Sequence, residues 1–246
     1  MKYLSLCLSL VLSLGAFAED KVINCIKVTT PPVIDGKLDD AVWSKCEKIT
    51  GFLLNFDEEM RKGPLAGKAK ELQGKPGSQQ TEVWACYDDN QLYLAFKGVE
   101  NNPTAMKALA QGPDDQIWND DCVEFFIDTD NSKKTYYHVI INSQGAVYDD
   151  YVKGVKETKK ETKVDSNIRW NAEGEVKTSV GDKFWIVEAA LPLTSFKFQP
   201  KAGTTCGVNF TREQYTDKEN PNCYTTWAEL SGTFHQPAKF GTMMFK

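Results

Sequence analysis

Thr81-Glu-Val-Trp-Ala-Cys-Tyr87 and Gln91-Leu-Tyr-Leu-Ala-Phe-Lys97, separated by Asp88-Asp89-Asn90, read as two strands joined by a short turn. Runs of the same kind recur on both sides. Cys122-Val-Glu-Phe-Phe-Ile-Asp128 is a strand, and Thr135–Asn142 and Ala146–Val152 flank the turn residues Ser143-Gln144-Gly145. Glu175–Val180 and Phe184–Leu191 pair around Gly181-Asp182, and Thr205–Thr211 and Lys239–Phe245 complete the set. Helical signals are sparse. Leu38–Cys46, with Asp39 as cap and Trp43 on its apolar side, suffices for about two turns, and Pro103–Leu109 for about one. Glu58–Gln80 and Lys153–Asn167 are poor in apolar residues and read as surface loops, the first of them mobile. Many short strands at regular spacing predict an antiparallel β-sandwich, jelly-roll or immunoglobulin-like, with one or two short helices. No internal repeat or linker divides the chain, so residues 19–246 read as one domain.

The chain of 246 residues opens with Lys2, the apolar run Leu4–Leu14 and the small-residue site Ala16-Phe17-Ala18, which predicts a signal peptide over residues 1–18 and export to the periplasm or the medium. Beyond it, no run reaches the roughly 18 to 20 apolar residues of a membrane span. Lys and Arg number 29 against 34 Asp and Glu, a balance that argues against nucleic acid as a partner. Cys7 leaves with the signal. Cys25, Cys46, Cys86, Cys122, Cys206 and Cys223 remain, an even set that permits disulfides in any of about 15 pairings. Without a CxxC pair, and with His138 and His235 far apart, structural zinc is not expected.

The segment richest in chemistry runs from Pro113 to Asp130. Trp118 stands in a polar loop just before an apolar strand, on which Glu124 shares a face with Cys122, Phe126 and Asp128. An aromatic ring beside acceptor groups suits a sugar, whose C–H face covers the ring while its hydroxyls donate to carboxylates or amides. Equally, Trp118 could cap the core. Asp120, Asp121 and Glu124 could instead supply the two carboxyl groups of a glycoside hydrolase, although no motif singles out an acid and a base. Asp128-Thr-Asp130-Asn131 and Asp88-Asp89-Asn90 could hold calcium, but turn formation explains both equally well. No nucleophile elbow is present, and a haem or redox role, with ligation by His235 and Met106 or another Met, is conceivable but lacks spacing support.

Several segments in order resemble family 9 carbohydrate-binding modules. They are Val33-Ile-Asp-Gly-Lys-Leu-Asp-Asp-Ala-Val-Trp43, Thr81–Val83 with Tyr87–Leu94, Trp118–Asp128, Tyr136–Asn142 with Gly145, Trp185–Pro192, Gly207–Arg212 and Phe234–Gly241. The resemblance implies a β-sandwich that holds a sugar between two aromatic rings, here Trp118 and Phe234. It also implies polar contacts from Glu124, Asn142 and Arg212, with Thr211 beside the last. It implies a non-catalytic, monomeric module in polysaccharide catabolism, with a carbohydrate ligand and with calcium as a possible cofactor through Asp128 and Asp130. Two positions depart from the pattern: Phe234 stands where sugar binders tend to have Trp, and Ile140 where one can carry Arg. Asp35-Gly36 reads as a turn, Trp43 as a core plug, Trp185 and Trp227 as packing residues and Asn209 as a strand amide.

Overall fold

The computed structural model describes residues 21–62, 66–112, 115–157, 162–216 and 223–246. The expected signal segment, and the Pro113-Asp114 start of the acidic loop, lie outside them. The described chain forms fourteen strands: β1 (Val22–Lys27), β2 (Lys48–Ile49), β3 (Leu53–Asn55), β4 (Thr81–Tyr87), β5 (Gln91–Val99), β6 (Cys122–Asp128), β7 (Tyr136–Asn142), β8 (Val147–Glu157), β9 (Thr162–Asn167), β10 (Glu175–Val180), β11 (Phe184–Pro192), β12 (Thr205–Gln214), β13 (Cys223–Thr226) and β14 (Gly241–Phe245). Two short helices, α1 (Glu58–Lys62) and α2 (Ala66–Leu72), lie between β3 and β4.

The strands make two sheets. One runs β10-β11-β5-β4 with β2 beside β4; the other runs β14-β12-β6-β7-β8-β9, with β13 and β3 continuing from β12. β1 serves both: Val22–Cys25 pair in parallel with β14, and Ile26 and Lys27 in parallel with β4. Those two pairings are the exceptions to an otherwise antiparallel sandwich. The core lies between the sheets, where period two sends Val123, Phe125 and Ile127 of β6 and Val208 and Phe210 of β12 inward against Phe96, Trp185 and Val187. Trp43 packs with Val42, Cys46, Cys86 and Tyr93 in a smaller cluster beneath the entry turn. Its indole N–H donates to Glu188 Oε1 at 2.8 Å, while the Gly36 N–H donates to Glu188 Oε2 at 2.8 Å. Gly36 sits at φ +83, and an added Cβ would meet Thr178 O at 3.0 Å, so this turn requires glycine.

Four local expectations change. Leu38–Cys46 makes one 3-10 turn, Trp43–Lys45, because its bonds run from Trp43 N to Asp40 O and from Lys45 N to Val42 O. Pro103–Leu109 likewise yields a 3-10 turn at Pro103–Ala105. Within Glu58–Gln80, α1 and α2 form instead of a loop, with Met60 and Ala69 packed on Leu54 and Phe56. Within Lys153–Asn167, the described residues continue β8 and form β9, paired antiparallel; as an outer strand without buried residues, β9 shows no apolar alternation to read. All six described cysteines are buried.

Candidate functional site

The outer face of β12, β6, β7 and β8 carries polar residues where the inner face carries core. Glu124 lies opposite Thr211 on β12 and Ile140 on β7, His138 opposite Phe126 and Asp150, and Ile140 opposite Tyr148. Above them opens a cleft of about 430 Å³, lined among others by Trp118, Tyr148, Tyr224 and Phe234. Trp118 meets Tyr148 edge-on at 5.3 Å and 88°, and Tyr224 meets Phe234 at 5.9 Å and 55°. Trp118 is 38% exposed, whereas Phe234 is 8% exposed and offers only part of its ring.

The loop that presents Trp118 is tied down by two buried carboxyl groups. Asp120 Oδ2 accepts from the backbone N–H groups of Leu109 (3.0 Å) and Ala110 (2.9 Å) and from Asn142 Nδ2 (3.1 Å). Asp121 accepts from Lys107 N at 2.7 Å and Tyr215 N at 3.2 Å, and the Tyr215 hydroxyl donates to Trp118 O at 2.7 Å. Of the three acids that could have formed a hydrolytic pair, therefore, only Glu124 lines the cleft.

The floor is electrostatic. His138 Nε2 donates to Glu124 Oε2 at 2.7 Å, its Nδ1 lies 3.3 Å from Asp150 Oδ1, and its ring stacks on Phe126 at 4.2 Å. Burial alone would push His138 down, but Asp150 and Glu124 outweigh it and lift the imidazole to about 9. The charged ring holds Asp150 below the usual carboxyl range in spite of its burial. Glu213 goes the other way: burial, and then the charge of Glu124, push it well above that range, so it keeps a proton that it can donate. His235, at the far end, is pushed down to about 3 by desolvation and by His138, and its Nδ1 lies 2.6 Å from the Tyr136 hydroxyl. Besides His138 Nδ1 and Asp150 Oδ1, which face each other as an ion pair, two buried atoms on this face, Glu124 Oε1 and Thr211 Oγ1, have no hydrogen-bond partner among the described residues. A buried acceptor without a donor is costly unless a ligand or water supplies one.

Trp118, Glu124 and Phe234 thus meet in one cleft; Asn142 and Arg212 do not. Asn142 is fully buried, donating to Ala110 O and Asp120 Oδ2 and accepting from Gln144 N and Ala146 N, so it positions the Trp118 loop. Arg212 follows Thr211 on β12 and so points inward, between the sheets. It donates through Nη1 to Val99 O at 2.8 Å and through Nη2 to Glu100 Oε2 at 3.2 Å. Asp128 accepts from Ser132 N (3.0 Å) and Lys133 N (2.7 Å), and Asp130 from Ser132 N (3.3 Å). These bonds tie the pair into the turn between β6 and β7. No group of three or more His, Cys, Asp or Glu suited to a metal occurs among the described residues. His235 is engaged with Tyr136 while Met106 packs on the main core, so the two do not form a haem pair.

His138, which the sequence suggests is a packed or surface histidine, stands in the cleft floor, and Tyr148, Asp150, Glu213 and Tyr224 join it there without a motif that marks them. They lie at alternate positions of their strands, on a face that also carries the apolar Phe126, Ile140 and Val152, so no clean polar alternation marks them in the sequence.

The carbohydrate family 9 binding domain-like family model matches residues 34–246. Over 215 residues, 87% of this chain, the sequence is 26% identical to endo-1,4-beta-xylanase A of Thermoanaerobacterium saccharolyticum; the chain spans about 15% of that relative's length. Among solved structures it is similar to a family 9 carbohydrate-binding module from Caldicellulosiruptor kristjanssonii. The complex of that module with glucose gives a TM-score of 0.62 at 18% identity, covering 92% of this chain and 96% of the other. The complex with cellotriose gives 0.60 at 18% identity, covering 92% and 94%. At that identity the likeness establishes the fold.

Proposed function

The chain belongs to the carbohydrate family 9 binding domain-like family, and from that premise we propose that it is an exported, non-catalytic carbohydrate-binding module acting in polysaccharide breakdown. The cleft holds one sugar ring or glycan end. The exposed face of Trp118 covers the C–H face of the ring, with Tyr224 and the accessible edge of Phe234 closing the apolar wall. Glu124 Oε1 accepts from one hydroxyl, oriented by the bond of its sister oxygen to His138, and the protonated Glu213 donates to another.

The observation that carries this reading is the buried, unpartnered Glu124 Oε1 in a cleft walled by an exposed tryptophan. The sugar-bound modules of similar fold and the similarity to a xylanase support it. Affinity for a single ring should be about −4 to −8 kcal/mol, millimolar to micromolar. Because Trp118 is exposed, its fluorescence reports occupancy. Titration with gluco- and xylo-oligosaccharides should give a saturable change, and a flat response to every sugar of a broad panel would end this proposal.

A further inference from the structure

Beside the cleft runs a second groove of about 720 Å³, and His235 lines both. Among the described residues its wall carries Lys133, Lys134, Lys153 and Lys239 and no Asp or Glu, on a chain whose net charge is −5. Among the described residues, no ion pair joins any of these lysines to an acid; Lys239 Nζ donates only to Ser231 Oγ at 3.3 Å.

Two backbone irregularities aim these side chains. Lys133 sits at φ +60, in the left-handed region that disfavours a lysine, and is held there by its own N–H donating to buried Asp128 Oδ2. Lys153 occupies the register shift of β8, where Val152 pairs with Ser166 and Gly154 with Asp165, so it is the extra residue of a bulge. Bulges and held outliers re-aim side chains and concentrate at functional sites. Here both bring cations to one groove.

We propose that this groove is an anion-binding extension of the sugar cleft, so that the ligand is an acidic glycan whose carboxylate or sulfate groups lie beyond the ring held at Trp118. The proposal rests on the reading of the cleft given above. A ring of neutral character sits in the cleft, beside Glu124 and Glu213, and the anionic units follow past His235 toward the lysines.

The test measures binding of short xylo-oligosaccharides bearing a glucuronic acid unit (carboxylate), carrageenan oligosaccharides (sulfate) and cello-oligosaccharides (neutral) to the full chain and to the double variant Lys134→Gln/Lys153→Gln. At about 0.1 M salt one or both anionic series should bind about tenfold more tightly than the neutral one. The advantage should vanish at about 1 M salt, where the screening length falls to about 3 Å, and in the double variant, whose affinity for the neutral series stays unchanged. Neutral binding without any anionic preference, or a preference that survives in the double variant, overturns the extension and leaves the cleft reading standing. A salt-sensitive anionic affinity that is lost in the lysine variant but not in Trp118→Ala supports the groove and counts against the cleft. No binding of any series defeats both.

Discussion

At the residue scale, the cleft depends on one exposed ring and one histidine. Trp118→Ala removes a platform that is 38% exposed and meets Tyr148 edge-on. It should weaken sugar binding by tenfold or more while moving the melting temperature by only a degree or two, which thermal denaturation checks. His138 predicts an alkaline sensitivity. Its folded value of about 9 lies above the roughly 6.5 of an unfolded histidine, so the protonated ring stabilises the fold fully below pH 6.5. That contribution, at most about 3 kcal/mol, is lost as pH rises through 9. Glu213, raised above its ordinary range, weakens the fold in the same direction when it is forced to ionise. The urea midpoint should therefore fall between about pH 6.5 and pH 9, and His138→Gln should flatten that slope; a midpoint that rises would contradict the assignment.

At the scale of elements, strand alternation decides what each side chain can do. Arg212 and Thr211 are neighbours in sequence, yet one joins the sheets internally and the other lies on the cleft face. Arg212→Met would leave Glu100, already accepting from Gln214 (2.9 Å) and Thr216 (2.7 Å), as an unpaired buried acid. The expected cost is about 3–5 kcal/mol of stability, read by urea unfolding, with sugar affinity of the folded protein unchanged. Asn142→Ala should do the reverse on the ligand side. It loosens the loop that Asp120 anchors and weakens binding several-fold, although Asn142 touches no ligand. The hairpins β4–β5 and β10–β11 were legible because their apolar alternation and turn residues are local. β9, α1 and α2 were not, since an outer strand and helices of five and seven residues draw their stability from tertiary packing. The linear order of motifs located Trp118, Glu124 and Phe234. It could not show that Glu213 and Asp150, far apart in sequence, flank the same histidine-centred floor, because that proximity belongs to the sheet.

At the scale of the whole molecule, two sheets joined through β1 enclose an apolar core and leave one outer face free to be polar, and that face bears the cleft and the lysine groove. The division explains how Glu124, His138, Asp150 and Glu213 can gather on the outer face, while Arg212 of β12 turns inward to meet Glu100. Their cost is met by pairing, as in His138 between Glu124 and Asp150, or by retaining a proton, as in Glu213. The central claim is that this outer face binds a sugar through Trp118 and Glu124. Titration calorimetry of the wild type, Trp118→Ala and Glu124→Gln against cello- and xylo-oligosaccharides tests it most directly. Millimolar to micromolar binding by the wild type, lost in Trp118→Ala and weakened in Glu124→Gln with cooperative unfolding retained, is the predicted result; binding that persists undiminished in both variants would contradict it.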